Sequence, residues 1–186
     1  MTFKIILCVG LLFILPLEGQ TQRKVNLGGF SISKDLFLYI SKVLEQGKTI
    51  LELGSGFGTG ELAKYYKMYS IEHNQEWLHK YNSTYIYAPI KDYKTYSWYD
   101  VTALNRYLPQ KYDMILIDGP TGVIGRYGFF ENLHLFNPEV LMIFDDVQRE
   151  PELRLLKDVA RKLNKSFAIY KCSDRKLFGV INEPTR

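Results

Sequence analysis

From about Thr49 onward, the chain alternates short, continuously apolar runs with segments whose apolar residues recur at helical spacing. The runs at 49–53, 68–72, 85–90, 114–118 and 140–145 are rich in β-branched and aromatic residues, as strands covered on both faces should be. A helix is predicted over 34–45, with Leu36, Phe37, Ile40, Val43 and Leu44 on one face, Ser33 before it and Gly47 as its stop. A second opens at Glu150-Pro151, since proline is tolerated at a first helical position, and runs to about Asn164 on Leu153, Leu155, Leu156, Val159, Ala160 and Leu163. Shorter helices fit 60–66, 75–82, 101–107 and 127–136. Strands alternating with helices imply a parallel sheet of βαβ units. The last two runs, 166–172 and 176–182, are joined only by Ser173-Asp174-Arg175, too short for a crossover helix, so they form an antiparallel hairpin. The predicted fold is α/β: a Rossmann-like, doubly wound, mostly parallel seven-stranded sheet with an antiparallel terminal hairpin.

The beginning of the chain follows a different pattern. Lys4, the apolar stretch from Ile5 to Leu17, Pro16 and the small residue Gly19 match the charged, apolar and cleavable regions of a secretory signal. Residues 1–19 are therefore expected to be a leader, 20–32 a lead-in and 33–186 the folded domain. The apolar stretch is too short to span a bilayer comfortably. Export is the expectation, and a cytoplasmic protein with a misassigned start is the alternative. Removing the leader removes Cys8 and leaves Cys172 alone, so no internal disulfide can form; a lone thiol is more usual in the cytosol.

A length of 186 residues suits one domain with a developed core, and 46% hydrophobic with 24% charged residues excludes both disorder and a multi-span membrane protein. The net charge of +4 is spread without a run of like charges, which makes nucleic acid an unlikely partner.

The chemistry concentrates at strand ends. Gly54, Gly56, Gly58 and Gly60 follow the first strand and lead into a helix, where a backbone must bend sharply and admit a ligand. Glu72 ends the next strand, where a carboxylate can accept hydrogen bonds from both ribose hydroxyls. These features predict an adenosine-containing cofactor. The dinucleotide spacing G-x-G-x-x-G fails from Gly54, which meets Thr59, and from Gly56, which meets Glu61. A looser match at Gly58, Gly60 and Ala63 begins too far beyond the strand, and no Walker-type phosphate loop is present.

Ile50-Leu51-Glu52-Leu53-Gly54-Ser55-Gly56-Phe57-Gly58, then Ile71-Glu72, then Tyr112 to Asp118, resemble in order the cofactor motifs of the class I S-adenosylmethionine-dependent methyltransferases. The terminal hairpin is similar too, and the resemblance spans roughly residues 33–182. It implies that Glu52, Gly54, Ser55, Gly56 and Gly58 form the wall for the amino-acid part of S-adenosylmethionine and that Glu72 holds the ribose. His73 is placed to stack beside the cofactor. Asp92 is a partner for the adenine amino group, with backbone contacts from Ile90 or Lys91 as the alternative.

Asp118 ends the fourth strand and is the candidate catalytic residue, orienting or deprotonating an acceptor; otherwise it is a polar strand end that caps the next loop. Asp145 and Asp146 end the fifth strand, and with Asp118 they offer an oxygen-rich set suited to Mg²⁺ or Ca²⁺. Their placement resembles the metal-ligand pattern of the cation-dependent catechol-type O-methyltransferases, with Asp146 where asparagine is usual. Solvated strand ends are the alternative. Arg126, Tyr127 and Trp98 are candidate acceptor-binding residues: an arginine there can clamp an anion or else sit at an exposed helix start, and Trp98-Tyr99-Asp100 forms either an aromatic wall of the acceptor pocket or a packed turn. The loop after Asp118 does not read Asn-Pro-Pro-Tyr, the pattern of the amino-methylating nucleic-acid enzymes. The expected activity is methyl transfer to a small-molecule or glycan-like acceptor, at oxygen. A nicotinamide-dependent oxidoreductase and an exported, inactive cofactor-binding module remain the alternatives.

Overall fold

The computed structural model describes residues 31–183 in full and, for the backbone alone, 3–8 and 11–16. Two strands, β1 (Phe3–Cys8) and β2 (Leu11–Pro16), pair antiparallel, and β1 pairs with a later strand at one edge of the main sheet. Gly19, the expected cleavage point, and residues 20–30 of the expected lead-in lie outside the described residues.

Helix α1 (Lys34–Val43) starts where Ser33 accepts a hydrogen bond from the Leu36 amide, which satisfies one of the free N–H groups of the first turn. It feeds β3 (Thr49–Leu53), α2 (Phe57–Leu62) and β4 (Lys67–Glu72). Strand β5 (Thr84–Tyr87) follows, then β6 (Ile90–Asp92), β7 (Ser97–Tyr99), α3 (Val101–Tyr107) and β8 (Met114–Ile117). The chain closes with α4 (Gly128–Glu131), β9 (Leu141–Phe144), α5 (Glu150–Leu163), β10 (Phe167–Lys171) and β11 (Leu177–Ile181).

The main sheet runs β2-β1-β10-β11-β9-β8-β3-β4-β5. Its seven strands from residue 49 onward have the predicted composition: β9, β8, β3, β4 and β5 are parallel, and β11 inserts antiparallel between β9 and β10. Successive residues of each strand serve opposite layers. Ile50, Met114, Leu116 and Ile143 pack under α1, whereas Leu51, Leu53, Ile115, Ile117 and Phe144 pack with α3, α4 and α5. Both faces are covered, so the strands read as continuously apolar.

Four predicted boundaries move, each for a local reason. Helix α2 begins at Phe57, not Gly60, because Thr59 Oγ1 accepts from the Gly56 amide and closes the turn early. The third strand ends at Tyr87, since Pro89 cannot donate to a ladder; Ile90–Asp92 instead pairs with Ser97–Tyr99 as a separate two-stranded sheet. The helix predicted over 75–82 shrinks to one 3-10 turn, Gln75–Trp77, with His79 at φ +61° beyond it. The helix over 127–136 breaks at Asn132, whose side chain donates to the Gly128 carbonyl and the Tyr96 hydroxyl. Among the described residues no helix is long and apolar enough to cross a membrane.

Candidate active site

Strand β3 leads to β4 and β5 on one side, while β8 and β9 lie on the other, so the connections part between β3 and β8. Open α/β sheets bind ligands at the carboxyl ends of the strands beside such a point. A cleft of about 350 Å³ lies there, lined by Gly54 to Gly56, Glu72 to Asn74, Trp77, Tyr99, Asp118 to Gly122, Arg126, Asp146, Arg149 and Lys176.

Two glycines let the strand-end loops meet. Gly54 has φ +89°, and a methyl group added to it would lie 2.9 Å from the Gly119 Cα. One added at Gly119 would lie 2.6 Å from the Gly54 Cα and 2.5 Å from the Tyr99 hydroxyl. Only backbone fits at this junction.

The glycine turn is braced from beneath by Glu52, which is buried and accepts from Thr59 Oγ1 at 2.7 Å and Ser70 Oγ at 2.9 Å. Burial pushes its carboxyl up to about 8, against those two hydrogen bonds. Glu52 thus lies under the glycine turn and does not line the cleft. Gly58 also sits away from the cleft, packed inside α2 against Ser31 and Ile32.

Glu72 does line the cleft, and its carboxylate is fixed by three backbone donors. Oε2 accepts from the Ser55 amide at 2.8 Å, and Oε1 from the amides of His73 and Asn74 at 2.7 Å each. One lone pair, on Oε2, remains for a ligand hydroxyl. His73 also lines the cleft, its Nδ1 3.0 Å from Glu72 Oε1 but without hydrogen-bond geometry.

Across the cleft, one carboxylate oxygen from each of Asp118, Asp145 and Asp146 comes within 4.8 Å of the others. Arg126 occupies their centre. Its Nη2 donates to Asp118 Oδ1 at 3.0 Å and Asp146 Oδ2 at 3.1 Å, and its Nη1 to the Asp145 carbonyl at 2.9 Å. Arg149 lies 3.2 Å from Asp146, and Lys176 within 3.9 Å of both Asp145 and Asp146. These cations hold the places a metal would need, and the donor set does not fit Mg²⁺ or Ca²⁺. Burial, then the neighbouring Asp118 and Asp146, pushes the Asp145 carboxyl up to about 8. Burial raises Asp118 as well, against the Arg126 guanidinium, whereas for Asp146 the three cations outweigh burial and lower it.

Arg126 is accordingly an internal ion-pair centre, 5% exposed, and not the free anion clamp expected of it. The other expected acceptor residues lie elsewhere: Trp98 is fully buried in the core, and Tyr127 donates to Asp158 on α5. Asp92 sits exposed on β6 and accepts from the Lys94 amide, outside the cleft. The cleft thus unites Gly54, Ser55, Gly56, Glu72, His73, Asp118, Arg126 and Asp146. Of the Trp98-Tyr99-Asp100 segment, read as an aromatic wall or a packed turn, only Tyr99 lines the cleft; sequence reasoning missed Gly119, Trp77, Arg149 and Lys176. Gly119-Pro120 after a strand-end aspartate was the available sign of a tight approach.

No known family profile and no curated protein sequence matches the chain. Among solved structures it is similar to a methyltransferase from Pyrococcus furiosus, with a TM-score of 0.53 and 17% identity over 81% of this chain and 82% of that one. At that identity the likeness is one of fold.

Proposed function

We propose that the cleft binds S-adenosylmethionine and that the chain transfers its methyl group to a hydroxyl of a small-molecule or glycan-like acceptor. The observation that carries this reading is the single cleft joining the glycine turn at Gly54 to Gly56, the strand-end carboxylate of Glu72 and the strand-end carboxylate of Asp118. The fold shared with a methyltransferase adds to it. The residues suit the cofactor: the Gly54 to Gly56 turn presents backbone to the cleft for its amino-acid part, and the spare lone pair on Glu72 Oε2 suits a ribose hydroxyl.

The cofactor supplies an electrophilic methyl carbon: a C–O bond forms to the acceptor as the C–S bond breaks, with the electron pair staying on sulfur. The protein must align the acceptor and take its proton. Arg126 grips Asp118 Oδ1, which orients the carboxylate and leaves Oδ2 to receive that proton. The raised affinity of Asp118 for a proton favours this transfer, and no described residue need be covalently modified. An oxygen acceptor is preferred because the loop reads Gly119-Pro120-Thr121-Gly122 and lacks the Asn-Pro-Pro-Tyr pattern. The leader-like pattern of residues 1–19 adds export to the proposal, which puts hydroxyl-rich glycans within reach.

Two variants test the roles. Glu72→Ala should weaken S-adenosylmethionine binding by about 1–3 kcal/mol through the lost ribose hydrogen bond. Asp118→Asn should keep cofactor affinity while abolishing transfer of labelled methyl to hydroxylated acceptors. Unchanged affinity in the first variant would remove Glu72 from the site, and undiminished transfer in the second would remove Asp118 as the base.

A further inference from the structure

Tyr99 ends β7, in the hairpin that interrupts the helical alternation, and its ring is fully buried. The ring packs in the core layer of α3 to α5, edge-on to His73 and tilted against Trp98. A phenylalanine would supply the same packing, so what distinguishes the residue is its hydroxyl. That hydroxyl has no hydrogen-bond partner among the described residues. It lies at the Gly54–Gly119 junction, where a methyl group on Gly119 would come within 2.5 Å of it. Other buried polar atoms also lack partners, on Ser31, His73, Trp98, Asp145 and Glu152. Only Tyr99 combines a fully enclosed side chain with a place in the cleft wall between Glu72 and Asp118.

Its surroundings are mostly anionic. Burial keeps the phenol neutral, raising it well above its ordinary value; Glu72 adds to this, Arg126 opposes it, and Asp118 and Glu52 add further. With Glu52 protonated at neutral pH, the phenol oxygen and the Glu72 and Asp118 carboxylates, opposed by one guanidinium, make an electronegative floor. Such a floor suits a cation better than an uncharged ligand of the same shape.

We infer that the Tyr99 hydroxyl belongs to a sulfonium-selective floor, which favours S-adenosylmethionine over its uncharged product, S-adenosylhomocysteine. The inference rests on the proposed methyltransferase reading and goes beyond it by assigning ligand discrimination to a residue outside the cofactor motifs. Fast product exchange follows, because the floor loses its attraction once the charge is gone.

Calorimetry of the full-length chain with each ligand, before and after Tyr99→Phe, tests this. The variant should bind S-adenosylmethionine about threefold or more weakly while its affinity for S-adenosylhomocysteine stays within about twofold. Its ligand-free melting midpoint should be unchanged or higher, because an unpartnered buried hydroxyl contributes nothing to the fold. Equal weakening for both ligands, no change for either, or a lower ligand-free midpoint would overturn the inference alone. A wild-type chain that binds neither ligand would overturn the methyltransferase reading with it.

Discussion

Gly119 shows how much the cleft depends on one missing methyl group. A side chain there meets the Gly54 Cα at 2.6 Å, the Gly54 amide nitrogen at 2.8 Å and the Tyr99 hydroxyl at 2.5 Å, and two of these three are backbone atoms that cannot swing aside. Gly119→Ala should therefore cost about 1–3 kcal/mol in urea unfolding by overpacking and should also abolish cofactor binding. Gly47 separates sterics from conformation, since it has φ +83° but no neighbour within 4 Å. Gly47→Ala should cost only about 1–2 kcal/mol of left-handed strain and leave binding intact. Equal binding defects in the two variants would show that the Gly54–Gly119 contact has no special place in the site. At the same scale, methyl transfer should rise with pH as Asp118 loses its proton, and this limb should lie above the ordinary carboxylate range because burial raises the group. A pH-independent rate across that range would contradict the assignment of the base.

The β8–α4 and β9–α5 connections are held together through Arg126. It reaches Asp118 at the end of β8 and Asp145 and Asp146 after β9, so its removal leaves buried carboxylates without their central partner. Breaking such a pair by removing one member is far costlier than a surface ion pair suggests. Arg126→Met should destabilise the chain by about 3–5 kcal/mol in urea unfolding, and a loss under about 1 kcal/mol would mean the cluster is solvated. Elements with strong local signals were legible in the sequence: α5 carries Pro151 in its first turn, and its apolar face repeats at helical spacing. The β6–β7 hairpin was not, because Ile90 to Tyr99 has no hairpin turn signature and its neighbours Tyr85 to Ile90 read as one strand. That omission hid which ring of Trp98-Tyr99 faces the cleft and put Asp92 in the wrong place. Glu72 and Asp118 were legible because strand ends in a parallel sheet fix where their side chains emerge. The pairing of Arg126 with Asp118 and Asp146 was not, since it depends on a loop path that no periodicity encodes.

Among the described residues, burial pushes the Glu52 and Asp145 carboxyls up to about 8, so both hold protons at neutral pH. The unfolded chain releases those protons near pH 4, so between about pH 4 and 8 the folded state binds more of them. Their contribution to stability is therefore greatest at low pH and is lost as pH rises toward 8, while the lowered Asp146 acts in the opposite sense only below the ordinary carboxylate range. The melting midpoint should fall between pH 5.5 and 8, and Asp145→Asn should flatten that fall; an equally steep fall in the variant would place the proton elsewhere.

The functional consequences depend on the cleft at the carboxyl ends of β3, β4 and β8 being a site for S-adenosylmethionine. Calorimetric titration of the full-length chain with S-adenosylmethionine and, separately, with NAD tests that most directly. The account predicts binding of S-adenosylmethionine at about millimolar or tighter affinity and none of NAD. Binding of NAD alone, or of neither ligand, would contradict it.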